Sequence, residues 1–237
     1  MPLSAPRVVP SAEIQSPSIT GTIGSVRKSI SLFLVCLMAP VMLFAQTKLS
    51  PNQILDATSQ KIYSAKGIHA TFATTVHQGT SSEHVLDGTF DILATKYLIQ
   101  TTAACTWFNG KELWNHIIGS DEVTLVTPTP EEIISSSPLA FLNIYQKGYN
   151  LVSKNVTING KKAWEITMRA QDKKLEPSIV IVNVNQSTFE PMKLRVRHNG
   201  DWTQIDIKTY KVGVNFSPDH VNFPAKDYPK CEVIDMR

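Results

Sequence analysis

The chain has 237 residues, 42% of them apolar, 18% charged and 8% aromatic, a globular composition that excludes disorder, collagen-like repeats and coiled coil. The formal net charge is +3, and it falls to +1 once Met1–Ala45 is set aside, so there is no clustered basic face for nucleic acid. Three cysteines, far apart, supply neither a disulfide scaffold nor a zinc ribbon.

The first 50 residues are dominated by one segment. Arg27 and Lys28 precede an apolar run from Ile30 to Phe44, which ends at Leu43-Phe44-Ala45 before Gln46. A basic start, a short apolar middle and a small final residue read as a secretory signal peptide over residues 26–45, cleaved after Ala45. A transmembrane anchor needs roughly 20 apolar residues, and Pro40 interrupts this run. The Ser- and Pro-rich residues 1–25 read as an extension from an upstream start. Cys36 follows Val35, which is too large for a lipidation motif. The expected exported domain is 46–237, in a compartment that permits disulfides.

A helix opens that domain. Ser50-Pro51-Asn52-Gln53 is a capping box with Pro at the first helical position, and Ile54, Leu55, Thr58, Ile62 and Tyr63 recur on one side. Lys66-Gly67 ends it. The period then becomes two: Ile68, Ala70, Phe72, Thr74 and Val76 alternate with polar neighbours, predicting a half-buried strand. Similar runs follow at Val85–Leu93, Lys96–Thr101 and Val123–Thr127. Asn109-Gly110, Asn159-Gly160 and Asn199-Gly200 each lie between β-rich runs, and Asn-Gly supplies the two positive-φ residues of a two-residue hairpin. These predict a meandering antiparallel sheet. Thr129-Pro130-Glu131-Glu132 is a second capping box, and Ser137-Pro138 starts another apolar-sided segment. Two short helices are therefore expected at about 130–136 and 138–147. A second strand block runs Tyr149–Ile158, Lys162–Ala170, Pro177–Val184, Met192–Arg197 and Trp202–Tyr210, with one wet and one greasy face. The tail from Phe216 is broken by Pro218, Pro224 and Pro229, with an edge strand expected at Glu232–Asp235.

No catalytic motif is present: HExxH, Walker A, GxSxG, CxxC and the dinucleotide glycine fingerprint are all missing. The expectation is therefore not an enzyme. His69 and His77 fall on the polar side of a strand and read as solvated surface. Glu131 and Glu132 have a structural reason at a helix N-terminus. Lys193, Arg195 and Arg197 make a basic stripe, read as a solvated sheet face. Cys105 and Cys231 read equally well as a disulfide or as two free thiols. Periodicity leaves two architectures open: helices that plug a curved sheet, or a sheet that keeps a cavity for an apolar ligand.

Trp107-Phe108-Asn109-Gly110-Lys111-Glu112-Leu113-Trp114 resembles the "DGK-x-LW" hairpin of the periplasmic outer-membrane lipoprotein carrier family LolA. Gly67-Ile68-His69-Ala70-Thr71-Phe72 after the opening helix is similar to that family's "F-x-A-x-F" strand. Gly88-Thr89-Phe90-Asp91-Ile92 is similar to its next strand. Thr127–Glu132 with Phe141–Tyr149, and the order Phe216-Ser217, Phe223-Pro224, Val233-Ile234-Asp235, extend the likeness over residues 46–237. One departure stands out. The family's Arg-Pro pair after the second strand, whose Arg latches the helical lid, is replaced by Leu93-Ala94-Thr95-Lys96. Lys96 can stand in as the latch but lacks the planar fork of arginine.

The resemblance implies a mainly β fold with α elements, an incomplete (half-open) antiparallel β-barrel covered by short lid helices. On it, Phe72, Val76, Phe90, Ile92, Trp114, Leu125, Ile166 and Met168 are expected to line an acyl-chain cavity, with Phe141, Leu142 and Tyr145 as lid residues dipping into it. It implies a periplasmic carrier of lipoprotein acyl chains, with no cofactor, no metal and no covalent chemistry. The partners it implies are an inner-membrane ABC exporter of the LolCDE kind and, where one exists, an outer-membrane acceptor of the LolB kind. A monomer is expected. The alternatives are a lipid-sensing regulatory module of the RseB-like kind, which carries an additional C-terminal domain, and a specialised lipid carrier.

Overall fold

The computed structural model describes residues 48–129, 132–133, 144–146 and 148–237. Helix α1 spans Pro51–Ser64. Its start is the reciprocal cap expected from the sequence. Ser50 Oγ accepts from the Gln53 N–H at 3.2 Å, and Gln53 Oε1 accepts from the Ser50 N–H at 2.9 Å. Ile54, Leu55, Thr58 and Ile62 are buried, as their 3–4 residue spacing requires, and Thr58 returns its hydroxyl to the Ile54 carbonyl at 2.9 Å.

Among the described residues twelve strands follow: β1 (Ile68–Gln78), β2 (Ser81–Leu93), β3 (Lys96–Thr101), β4 (Ala104–Phe108), β5 (Leu113–Ile117), β6 (Glu122–Val126), β7 (Tyr149–Ile158), β8 (Lys161–Ala170), β9 (Ile179–Asn185), β10 (Pro191–His198), β11 (Asp201–Val212) and β12 (Glu232–Asp235). They form one sheet in the order β12-β6-β5-β4-β3-β2-β1-β11-β10-β9-β8-β7. Two antiparallel meanders, β1–β6 and β7–β11, are thus joined along β1 and β11. Strand β12 returns to β6 in parallel, the one departure from the expected antiparallel pairing. Strands β12 and β7 end the sheet and no pairing joins them among the described residues, so the sheet is open and not a closed barrel. Register shifts at Thr71/Phe72, Thr74/Thr75 and Pro191/Lys193 supply the local bends that curl it.

Two of the three Asn-Gly pairs are two-residue hairpins. Asn159 and Gly160 have φ of 49° and 74°, and Asn199 and Gly200 have φ of 50° and 95°. Asn109-Gly110 is different. The β4–β5 connection holds four residues, and Asn109 Oδ1 accepts from the N–H groups of Lys111 and Glu112 at 3.0 and 2.9 Å. Here the Asn side chain closes the turn, so Asn109 keeps negative φ.

The two predicted helices at 130–136 and 138–147 lie largely outside the described residues. What is described agrees with the cap: Thr129 Oγ1 accepts from the Glu132 N–H at 3.2 Å, and Glu132 Oε2 accepts from the Thr129 N–H at 2.7 Å. Among the described residues no helix is long and apolar enough to cross a membrane.

Candidate functional site

Register decides which residues share a face. One cross-strand row runs Ile68–Ile92–Tyr97–Phe108–Leu113 over β1 to β5. Its neighbour contains Ala70, Phe90 and Ile99. In the other meander, Leu151–Met168–Val180–Val196 and Ile166–Val182–Leu194–Ile205 form matching rows. Apart from Ala70, the buried members of these rows, with Ile54, Leu55 and Ile62 of α1, form one apolar cluster. This is the inner face, and α1 lies on it. Tyr97 links its aromatics, with ring centroids 6.3 Å from Phe90 and 5.2 Å from Phe108. Phe72 also belongs to it, its ring lying over Gly88, where a Cβ would come within 2.6 Å of Phe72 Cζ.

Tyr145 joins the same cluster at 6% exposure, and its hydroxyl donates to Asp56 Oδ1 on α1. Burial, and then the hydrogen bond to Asp56, push the Tyr145 phenol above its ordinary value, so it stays a donor. Tyr145 is thereby tied to α1 at the inner face. Phe141 and Leu142 lie outside the described residues.

The other face is set by the alternate residues. A second row runs His69–Asp91–Leu98–Trp107–Trp114–Leu125. Leu98, Cys105 and Trp107 form a separate buried cluster with Trp114, closed by Phe223 and Tyr228 from the C-terminal segment. Phe223 and Tyr228 meet Trp107 edge-on at 5.4 and 5.7 Å. The segment is also held through Asp91, which is buried. Asp91 Oδ1 is 2.5 Å from His69 Nδ1, and Oδ2 is 2.7 Å from His220 Nε2 in the 3-10 turn Pro218–Val221. His69, expected to be solvated surface, is one arm of this clasp.

The expected lining residues therefore divide. Phe72, Phe90, Ile92, Ile166 and Met168 meet in the inner cluster together with Tyr145. Val76 is half-buried beside Thr203, outside that cluster. Trp114 and its cross-strand partner Leu125 sit on the opposite face, under the C-terminal segment. Their assignment to the same surface as Phe90 is corrected by one step of parity: Phe108 and Leu113 are the inward residues of that hairpin. Lys96 is exposed at the β2–β3 turn, with its side chain alongside Gly110 of the next hairpin, and it has no ion-pair partner among the described residues.

Sequence reasoning missed Tyr97, Val180, Val182, Val184 and Leu194 as inner residues. Alternation around Tyr97 is interrupted by Leu98, which is buried under the C-terminal segment. In β9, Ile179–Val182 is apolar throughout and hides its own parity.

A groove of about 610 Å³ lies where β1, β2 and β3 meet, bordered by Thr71, Thr89, Gln100 and Lys208, and Phe72 is the one expected lining residue on its border. The basic stripe is engaged within the sheet: Lys193 Nζ is 3.1 Å from Asp206 Oδ1, and the Arg195 guanidinium lies 4.5 Å from the Trp202 ring centroid. Cys105 and Cys231 are free thiols. Among the described residues no cluster of three His, Cys, Asp or Glu could hold a metal ion.

The sheet thus keeps an apolar inner face behind α1 and stays open. The family model described as outer membrane lipoprotein carrier protein LolA matches residues 41–200. The chain belongs to this LolA family. No curated protein matches the sequence itself. The fold is shared with an uncharacterised conserved protein from Thermus thermophilus, at 12% identity and a TM-score of 0.55, over 78% of this chain and 99% of that one. More distant likenesses include a LolA superfamily protein from Nitrosomonas europaea, at 12% identity and a TM-score of 0.41, over 75% and 99% of the two chains. The lipoprotein LppX of Mycobacterium tuberculosis has 15% identity and a TM-score of 0.43, over 72% and 100%. The LolA-family fold is that of periplasmic lipid-handling proteins, and the family is one of carriers, not enzymes.

Proposed function

We propose that this protein is a periplasmic carrier that takes up the acyl chains of lipoproteins and moves them from the inner toward the outer membrane. The observation that supports the reading is the continuous apolar inner surface of a sheet that does not close, held under α1 and Tyr145. Acyl chains cannot cross water unaided, since each CH₂ left exposed costs about 0.8 kcal/mol. An empty open sheet would expose a large apolar patch. Side chains from α1, with Tyr145, cover that patch, and on this reading they give way to the acyl chains. Net affinity is then a difference between two burials, which keeps binding reversible.

Phe72, Phe90, Ile92, Ile166 and Met168 would line the acyl site, with Val76 at its margin, and Phe141, Leu142 and Tyr145 would form the lid. Lys96 would stand in for the latch. Its single ammonium makes the closed lid easier to open than an arginine fork would. Export would follow cleavage near Ala45, loading would come from an inner-membrane ABC exporter, and delivery would be to an outer-membrane acceptor. The protein would act as a monomer.

The test is mass spectrometry of organic extract and co-purifying protein from the chain isolated intact from periplasm. Triacylated lipoprotein should co-purify, and should be lost from Phe141→Asp while the protein remains folded. Free lipid without lipoprotein would replace this reading by a specialised lipid carrier or a sensor. No bound lipid under gentle extraction would overturn it.

A further inference from the structure

The C-terminal segment carries one feature that acyl-chain binding does not use. Tyr228 and Cys231 bound a tight turn in which the Cys231 N–H donates to the Tyr228 carbonyl at 3.1 Å. The Tyr228 ring packs against the buried cluster that contains Cys105 on β4, so the turn that ends in one cysteine begins beside the other. Between them stands His116, the cross-strand partner of Cys105 on β5, packed edge-on under the Tyr228 ring with centroids 4.9 Å apart. His116 Nε2 is 3.0 Å from the Ser120 carbonyl, which can only accept, so this nitrogen carries the proton. The same N–H lies 3.8 Å from Cys231 Sγ. The imidazole is 6% exposed and its Nδ1 is buried without a hydrogen-bond partner among the described residues. Two thiols, a buried histidine and a phenol thus converge where the segment meets the sheet.

We propose that Cys105 and Cys231 are a redox pair that fastens the C-terminal segment onto the outer face of the sheet. Cys231 is half-buried and is the first to react. Its sulfur attacks a disulfide-bearing oxidant, forming a mixed disulfide and releasing one thiol that takes up the Cys231 proton. The N–H of His116 stabilises negative charge on that sulfur during attack. Cys105 then attacks Cys231 Sγ, the internal disulfide forms, and a second thiol leaves with the second proton. Two electrons pass to the oxidant. For the second step the turn that ends in Cys231 must move toward β4. Burial pushes the Cys105 thiol up, so this step is the slow one. The product ties residue 231 to residue 105 across the row of Leu98, Trp107 and Trp114 that the segment covers.

The test uses the full chain and oxidised glutathione, followed by intact mass and peptide mapping. The expected sequence is a glutathione adduct on Cys231, then its loss to a Cys105–Cys231 link that lacks two hydrogens. The link should form equally in Cys36→Ser, which removes the third cysteine. Cys105→Ala should stop at the adduct. Amide exchange in residues 214–237 should slow at least tenfold in the linked form. A stable adduct on Cys231 with Cys105 still reduced would overturn the proposal, as would a link that forms only in denatured protein.

Discussion

Ala94 shows how a single residue carries the local geometry. It occupies the β2–β3 turn at φ +56°, where an L side chain is strained and glycine is not. Ala94→Gly should therefore stabilise the fold, by about 0.5–1 kcal/mol after the entropy of the more flexible unfolded chain is counted. Urea unfolding checks this, and a lower midpoint would mean the turn is not strained. Glu165 makes a second residue-scale case. Burial raises its carboxyl, but Lys154 at 2.9 Å and the Asn183 amide at 3.3 Å outweigh that and hold it below the ordinary 4.5. A lowered folded value stabilises the native state above about pH 4.5, and that support is lost as pH falls through the folded value. Lys154→Met should lower stability above about pH 4.5 and flatten the acid limb, the variant and parent curves converging as pH falls. An unchanged acid limb would show that the pair does not couple to folding.

Helix α1 is the element on which inner-face coverage turns. Its sequence sets both its start, through the Ser50–Gln53 box, and its buried stripe, through Ile54, Leu55 and Ile62. Leu55 is fully buried in the inner cluster, so Leu55→Ala should cost about 2–5 kcal/mol. On the carrier reading the same truncation removes a side chain that competes with acyl chains, so an apolar fluorescent probe should bind more tightly while stability falls. Weaker probe binding in a variant that still folds would count against competition. The Asn-Gly turns belong to this scale too. Asn159-Gly160 and Asn199-Gly200 were legible as two-residue hairpins. Asn109-Gly110 was not, because the choice between a backbone-driven turn and one closed by the Asn side chain depends on Lys111 and Glu112.

At the scale of the molecule, the sheet has two covered faces. The inner one is covered by α1 and Tyr145, and part of the outer one by Phe223 and Tyr228. Phe223→Ala should uncover Trp107, red-shift tryptophan emission and cost about 2–3 kcal/mol, while leaving the far-UV spectrum unchanged. Unaltered emission would mean the C-terminal segment does not shield that face. The expected site suffered at this scale. Trp114 and Leu125 are apolar residues in alternating strands, and alternation alone assigns them to a greasy face. With apolar cover on both faces, that pattern no longer says which one.

What the sequence by itself determined was local or ordered along the chain: the capping boxes, the strand spans, the hairpin positions and, through an ordered set of motifs, the LolA family. These follow from period, turn chemistry and neighbours within a few residues. The tertiary structure alone decided which parity points inward, that β12 returns in parallel to β6, and that His220, Phe223 and Tyr228 reach back to Asp91 and Trp107. Those contacts join segments far apart along the chain. Their energy comes from burial and hydrogen bonding between stretches whose adjacency no local pattern encodes.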